Sequence, residues 1–304
     1  MAQIQVVGEA LADIVDGVAH PGGSPMNVAV GLGRLGHEVT LTTDLGDDEH
    51  GALISAHLAD SSVKLAADTY SQESTSYATV SVDGVGDATY EFSLAWDLPH
   101  GVVASEAQLL HTGSIAGWLA PGCEKVLEAF EASPADQLRS YDPNVRPQLI
   151  RKRSTAVKQI EKMMSLSHVV KLSDDDALWL YPGWDCQRIL DHILERGAKL
   201  AVMTFGARGA TARAKNTEVM VHSRPVKIVD TIGAGDAFMS GLLHGLLNSS
   251  LAQALTTKGA ALDQSELEFA LTQATRCSEL TVLTSGANPP RLEALNDSLQ
   301  AQIS

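Results

Sequence analysis

Asp236 stands directly after Gly233, Ala234 and Gly235, at the head of an apolar run in the stretch DTIGAGDAFMSGLL from Asp230 to Leu243. Small residues at a helix start let the backbone come close to a ligand. The unpaired N–H groups of a first helical turn, together with the positive end of the helix dipole, make an anion site. A carboxylate there repels a phosphate unless it faces something else, and an alcohol suits. Asp236 within reach of a hydroxyl could take its proton while the adjacent N–H groups stabilise charge on a transferred phosphoryl group. The same residues also suit a plain glycine turn followed by a helix that Asp236 caps, and on this segment alone both readings stand.

Other residue types point away from metal or redox chemistry. Cys123, Cys186 and Cys277 are widely spaced and contain no C-x-x-C pair, so they read as small buried hydrophobes. The ten histidines show no H-E-x-x-H spacing. Gly31-x-Gly33-x-x-Gly36 formally matches a dinucleotide fingerprint, but the glycines continue a helical pattern instead of joining a strand to a helix. Gly36 reads as a helix C-cap, and Gly31 and Gly33 as close-packing positions. There is no G-x-x-x-x-G-K-[ST].

The elements that must hold Asp236 follow from alternating short apolar runs and helical patterns. Strands are expected at Ile4 to Val7, Val39 to Thr42, Leu109 to Thr112, Leu138 to Tyr141, His168 to Lys171 and Leu200 to Thr204. Helices are expected at Met26 to Leu35, Cys123 to Ala132, Thr155 to Met164 and Cys186 to Glu195. This alternation predicts parallel strands with crossover helices, and therefore chemistry in the loops that leave the carboxyl ends of the strands. One stretch departs from it. Ser76 to Leu94 contains two period-2 runs around an Asp83-Gly84 turn signal, a β-hairpin that serves as a flap over a pocket, as a dimer contact or as an addition to the main sheet. No repeat or linker divides the 304 residues, which read as a single domain spanning 1–304.

Composition narrows the partners. With 22 Lys+Arg against 37 Asp+Glu, the net charge of −15 opposes binding to a nucleic-acid backbone. A content of 44% hydrophobic and 19% charged residues fits a globular chain. No window reaches the roughly 18–20 apolar residues of a membrane span. The start, MAQIQVVGEALADIVDG, has Glu9 and Asp13 where a signal peptide would be apolar, so a cytoplasmic protein is expected.

Two long motifs then make a specific resemblance. Gly22-Gly23-x-Pro25-x-Asn27-x-Ala29, followed by Gly36 and Gly46, and Asp230-Thr231-x-Gly233-Ala234-Gly235-Asp236-x-x-x-Ser240-Gly241 resemble the two signatures of the PfkB, or ribokinase, family of carbohydrate kinases. They lie in the family's order, about 200 residues apart. The similarity extends to GEALADIVDG, LGDDEHG, YDPNVRP, VVKLSDDDALWL and TFGARGA. It implies a ribokinase-like α/β fold, a doubly wound, mostly parallel sheet flanked by helices, with a small β lid built from segments about 10–21 and 76–94. It also implies an ATP-dependent transfer of the γ-phosphate, with Mg²⁺, to a sugar hydroxyl.

Carried over residue by residue, the resemblance implies Asp236 as catalytic base and Gly233, Ala234 and Gly235 as anion hole. It implies Asp13, Gly23 and Asn27 as sugar-binding residues, a set whose chemistry agrees: a carboxylate accepts from two hydroxyls, an amide donates and accepts, and glycine leaves room for a ring. Asn144 and Arg146 are expected to support the same site, and Lys171, Thr204, Gly206 and Gly209 to meet the nucleotide. The family's acidic residue associated with Mg²⁺ aligns with Asp176, expected to act through water, although Ser173-Asp174-Asp175-Asp176 departs from the family's N-x-x-E and also suits a solvated helix start. Asp230 and Ile232 occupy positions whose backbone binds a monovalent cation such as K⁺ in many family members. The front and middle motifs resemble the fructokinase-like branch and the related 2-keto-3-deoxygluconate kinases more than nucleoside kinases, and fructose is the expected acceptor. A non-catalytic sugar-sensing relative is the competing reading, opposed by the retained Asp236. A homodimer through the lid is the expected assembly.

Overall fold

The structure, a computed structural model, describes residues 1–82, 88–103 and 106–301, so the expected Asp83-Gly84 turn lies outside the described residues. The chain begins with β1 (Gln3–Val7), β2 (Leu11–Val15), β3 (Val18–Gly22) and α1 (Ser24–Arg34). Then come β4 (Glu38–Thr42), β5 (Leu45–Gly46), α2 (Glu49–Asp60), β6 (Val63–Leu65), β7 (Tyr70–Gln72), β8 (Tyr77–Val82) and β9 (Ala88–Ser93). Strands and helices next alternate as β10 (Leu109–Gly113), α3 (Gly122–Ala132), β11 (Leu138–Asp142), α4 (Arg153–Leu166), β12 (Val169–Ser173), α5 (Asp174–Leu180), α6 (Cys186–Glu195) and β13 (Leu200–Thr204). β14 (Ala210–Ala214), β15 (Thr217–Val221), α7 (Ala234–Leu247), α8 (Leu251–Thr256), α9 (Gln264–Thr281) and α10 (Leu292–Gln300) complete the chain.

Among the described residues, nine strands form one sheet in the order β15-β14-β13-β12-β11-β10-β1-β4-β6. Its pairs are parallel from β6 to β13, and only β13–β14 and β14–β15 are antiparallel. Helices cover both faces, so β10, VVKL of β12 and LAVM of β13 are buried throughout, as mostly apolar runs that hold His111, Thr112 and Lys171 inside. Strand order reverses at β1: successive strands step outward to β4 and β6 on one side and to β10–β13 on the other. At such a switch point the carboxyl ends of the strands splay apart and leave a crevice.

A second sheet, ordered β3-β2-β8-β9, joins the front hairpin to the later one, with β2 and β8 parallel. The hairpin expected at 76–94 therefore extends this separate sheet and not the main one. Helix α7 lies against α1 and α9, where side chains at both interfaces are minimal. A Cβ at Gly31 would fall 2.4 Å from Ser240 Oγ, and one at Gly241 would fall 2.9 Å from Ala274 Cα. Gly31 and Gly33 are thus close-packing positions inside α1, and Gly36, at φ 88°, follows its C-cap Leu35. Cys123 and Cys277 are buried and Cys186 is half-buried, all as free thiols. Among the described residues, no helix is long and apolar enough to cross a membrane.

Candidate active site

The loops after β1, β10 and β11, the second sheet, and the start of α7 converge on a cavity of about 380 Å³ at the carboxyl ends of the strands. Asp236 lies on its wall, at the third position of α7. Gly233 begins that helix at φ 75°, a left-handed conformation that glycine takes without steric cost, and no side chain caps it. Asp236 instead reaches across to α1: its Oδ1 accepts from Ser24 Oγ at 2.7 Å and its Oδ2 accepts from Asn27 Nδ2 at 2.8 Å. Asn144 Nδ2 donates to Ser24 Oγ at 2.8 Å and lies 3.4 Å from Asp236 Oδ1. The cap that the sequence left open is therefore not formed. Both carboxylate oxygens are oriented by side chains from the first turn of α1.

That first turn is where it is because Gly23, at φ 111°, lets the chain fold tightly against the loop after β1. A Cβ there would lie 2.5 Å from the carbonyl oxygen of Glu9. Pro25 follows in the first turn of α1, where a missing N–H costs nothing. Burial raises the pKa of Asp236, while the hydrogen bonds from Ser24 and Asn27 and the charges of Lys171 and Arg146 oppose the rise. Asp13, brought in on β2, lines the same cavity. Burial raises its carboxyl as well, against the attraction of Arg146. Arg146 Nη1 donates to the carbonyl oxygen of Asn144 at 3.1 Å, and both residues line the cavity.

Sequence reasoning left out Glu9, Ser24 and Ser114, which line the cavity too. Burial lifts Glu9 to about 7, although one of its oxygens accepts from Ala116 N at 3.2 Å. The signal for Ser24 was present, since it lies inside the first glycine-rich motif between Gly23 and Asn27. Glu9 and Ser114 follow two strands that are adjacent only in the folded sheet.

A second, smaller cavity of about 90 Å³ is lined by Thr204, Gly206 and Gly209 on one side and by Ala234, Gly235, Phe238, Thr275 and Ser278 on the other. Gly206 and Gly209 both have positive φ, and a Cβ at Gly209 would fall 2.0 Å from the carbonyl oxygen of Val221. Gly235 lines both cavities, so the Gly233–Gly235 turn forms the partition between them. Of the first-turn N–H groups of α7, that of Ala234 donates to the carbonyl oxygen of Thr231 at 3.2 Å, which leaves those of Gly235 and Asp236 at a helix start whose donors lack intrahelical partners.

Three expected residues sit elsewhere. Lys171 is not on the wall of the second cavity. It is buried beneath the turn, paired with Asp142 at 2.8 Å. Asp176, expected to face Mg²⁺ through water, is engaged within the chain: Oδ1 accepts from Val145 N at 2.7 Å, and Oδ2 accepts from Ser173 N at 2.9 Å and Ser173 Oγ at 2.7 Å. With Asp176 N donating to Ser173 Oγ this is a capping box, so the short Asp side chain starts α5 and secures the loop after β11. The helix start is solvated in part: Asp175 is exposed and Asp174 half-buried, while Asp176 alone is buried. Asp230 lines neither cavity; its oxygens accept from Ile232 N at 3.0 Å and Gly286 N at 2.8 Å, bonds that hold its carboxyl below the usual range. Ile232 lines the first cavity. Among the described residues no group of three or more His, Cys, Asp or Glu could hold a metal ion.

Two cavities that meet at a helix start, with an oriented carboxylate on one side, suit transfer of an anionic group onto an alcohol. The chain is also similar to known proteins. The chain is 34% identical over 280 residues to the fructokinase of Rhizobium leguminosarum bv. trifolii, covering 86% of this chain and 84% of that one. It is 30% identical over 304 residues to the fructokinase of Salmonella typhimurium, covering 94% and 95%. Its fold matches a fructokinase double mutant of Vibrio cholerae O395, solved with fructose, ADP and potassium ion, with a TM-score of 0.82, 27% identity and coverage of 99% and 98%. Residues 3–294 match the pfkB family carbohydrate kinases, and the chain belongs to that family of sugar kinases.

Proposed function

We propose that the protein phosphorylates fructose with ATP, the sugar occupying the larger cavity and the nucleotide phosphates reaching it past the Gly233–Gly235 turn. The observation that carries this reading is the position of Asp236, on the sugar-side wall and one residue from the glycine shared by both cavities. Asp236 takes the proton of the attacking hydroxyl. Ser24 and Asn27 hold its oxygens so that the lone pairs need no reorientation as the reaction proceeds. The N–H groups at the start of α7 receive the charge of the migrating phosphoryl group, which travels in a largely dissociative transition state and asks the protein mainly for positioning.

Asp13, Gly23, Asn27, Asn144 and Arg146 form the sugar-binding wall in this reading. A sugar lacking a matched hydroxyl would leave polar groups unpaired, and discrimination arises from that cost. Thr204, Gly206 and Gly209 carry the nucleotide. Among the described residues no group of three or more metal-ligating side chains is brought together, and Asp176, bonded once at Oδ1 and twice at Oδ2, would reach a metal only through water. Mg²⁺ accordingly enters with ATP, held by phosphate oxygens and water. The turn tied by Asp230 brings residues 230–232 beside Gly286, where backbone carbonyls would hold K⁺. The β3-β2-β8-β9 sheet acts as the lid: it contributes Asp13, Ala78 and Phe92 to the cavity and limits water on closure. We assign the chain to the cytoplasm, where both polar substrates are found, and to a homodimer through that sheet.

The relatives named above support fructose over a sugar acid. The test is a coupled assay of ADP release across fructose, glucose, ribose and 2-keto-3-deoxygluconate, run with and without K⁺. Fructose-dependent ADP release is expected. Turnover confined to 2-keto-3-deoxygluconate would replace the acceptor, and no turnover with any sugar would remove the kinase reading.

A further inference from the structure

Asp142 ends β11 and Lys171 lies in the middle of β12, one step beyond the pair Tyr141 and Val170 in the parallel register. Because strand side chains alternate, both project to one face of the sheet, the face that α7 covers. Lys171 Nζ donates to Asp142 Oδ2 at 2.8 Å, and their side chains are only 4% and 1% exposed. Nζ points up at the partition between the two cavities: a Cβ at Gly235 would lie 3.3 Å from it, and that is the closest atom such a Cβ would meet. Asp142 Oδ1 is buried and has no hydrogen-bond partner among the described residues, so the lysine is the contact that accounts for this carboxylate.

A buried ion pair is a poor device for stability, since apolar residues of similar volume commonly do as well. Its place beneath Gly235 accounts for it better. Resting on the kinase reading above, we infer that Lys171 is the fixed cation at the point of phosphoryl transfer and that Asp142 is the residue that positions and charges it. The chain carries a net charge of −15, so the positive field required by the transferring group must be local. An ammonium held out of water delivers that field without reorganisation.

Four groups face Lys171 from the elements around it: Asp142 from β11, Asp176 from α5, Asp236 from α7 and His111 from β10. Burial alone would drive the ammonium to lose its proton, and Asp142 contributes the largest opposing effect, so that Lys171 is held above its ordinary value. His111 is buried, and that burial together with the nearby Lys171 lowers it to about 3, so it adds no competing cation at neutral pH. Lys171 thus stays charged because of Asp142. The pair would act on the reacting group and not as an anchor for the nucleotide.

The test uses Lys171→Met and Asp142→Asn, with wild-type activity on fructose as reference. In Lys171→Met, kcat should fall by about 100-fold or more, while ADP and fructose affinities measured by calorimetry stay within about threefold. In Asp142→Asn, the alkaline limb of the kcat–pH profile should move to lower pH, a shift that a merely structural role would not produce. A Lys171→Met enzyme with kcat within about threefold of wild type, a loss of ADP affinity with kcat retained, or an Asp142→Asn profile that superimposes on wild type would each overturn the inference. If Lys171→Met fails to fold, the Asp142→Asn profile decides alone. Absence of ADP release from the wild type with every sugar would instead refute the kinase reading.

Discussion

Asn27 and Asp236 are 209 residues apart in the chain and joined by a 2.8 Å hydrogen bond in the fold, Asn27 Nδ2 donating to Asp236 Oδ2. The bond links the first turn of α1 to the first turn of α7, so the two glycine-rich motifs are two halves of one site. A carboxylate tethered at both oxygens has little rotational freedom, which suits a base that must meet one hydroxyl in one geometry.

Asp236→Asn should lower kcat by about 10²–10⁴-fold, the range that removal of a general base produces. The amide can keep one bond to α1 and is nearly isosteric, so fructose affinity should stay within about threefold. Coupled ADP release and direct fructose titration check the two halves, and near-normal turnover would remove Asp236 as base.

Ser24→Ala tests the tether. The hydroxyl bonds the charged form of Asp236 and opposes the rise that burial causes, so its loss raises the pKa further. A base that gains its proton more readily loses activity at higher pH as acid is added. The acid limb of the kcat–pH profile should therefore move upward, with the alkaline limb unchanged.

Gly241→Ala should destabilise the fold by about 1–3 kcal/mol, the usual cost of overpacking a tight core. The added methyl would meet the backbone of Ala274 on α9 as well as the side chain of Cys277, and backbone cannot step aside cheaply. Urea denaturation should show the midpoint falling with little change in slope, while kcat at low temperature remains close to wild type.

His37 and His244 form a buried pair with 2.9 Å between Nε2 and Nδ1, at the far end of α7 from Asp236. Burial lowers His37 to about 4, with the charge of His244 adding to the effect. The folded state thus binds fewer protons than the unfolded chain between about 6.5 and 4. The pair's contribution to stability is complete above pH 6.5 and is lost as pH falls through that window. Glu9, raised to about 7 by burial, acts in the opposite sense, so the informative quantity is a difference. The drop in Tm between pH 7 and pH 5 should be smaller in His37→Asn than in wild type, and equal drops would contradict the assignment.

Much of the main sheet was legible because its signal is local. Apolar runs such as Leu109 to Thr112 and Leu200 to Thr204 are long enough to mark buried strands, and each coincides with a strand to within a residue. The GAGD turn was legible for the same reason, since a glycine with positive φ and a helix start are properties of a few consecutive residues. The hairpin was readable as a hairpin, but its membership of a second sheet with β2 depends on a pairing between residues 12–15 and 77–80 that no local pattern encodes.

The amino-acid sequence by itself determined which residues can do chemistry: a carboxylate beside small residues, an amide and a second carboxylate near the front, and glycines where the backbone must turn or come close. Tertiary structure alone decided what each of them does. It turned Asp236 from a potential helix cap into a carboxylate held by Ser24 and Asn27, committed Asp176 to the start of α5, and set Lys171 beneath Gly235 against Asp142. The physical reason is that residue type and backbone conformation are set by near neighbours in the chain, whereas hydrogen bonding and burial are set by neighbours in space.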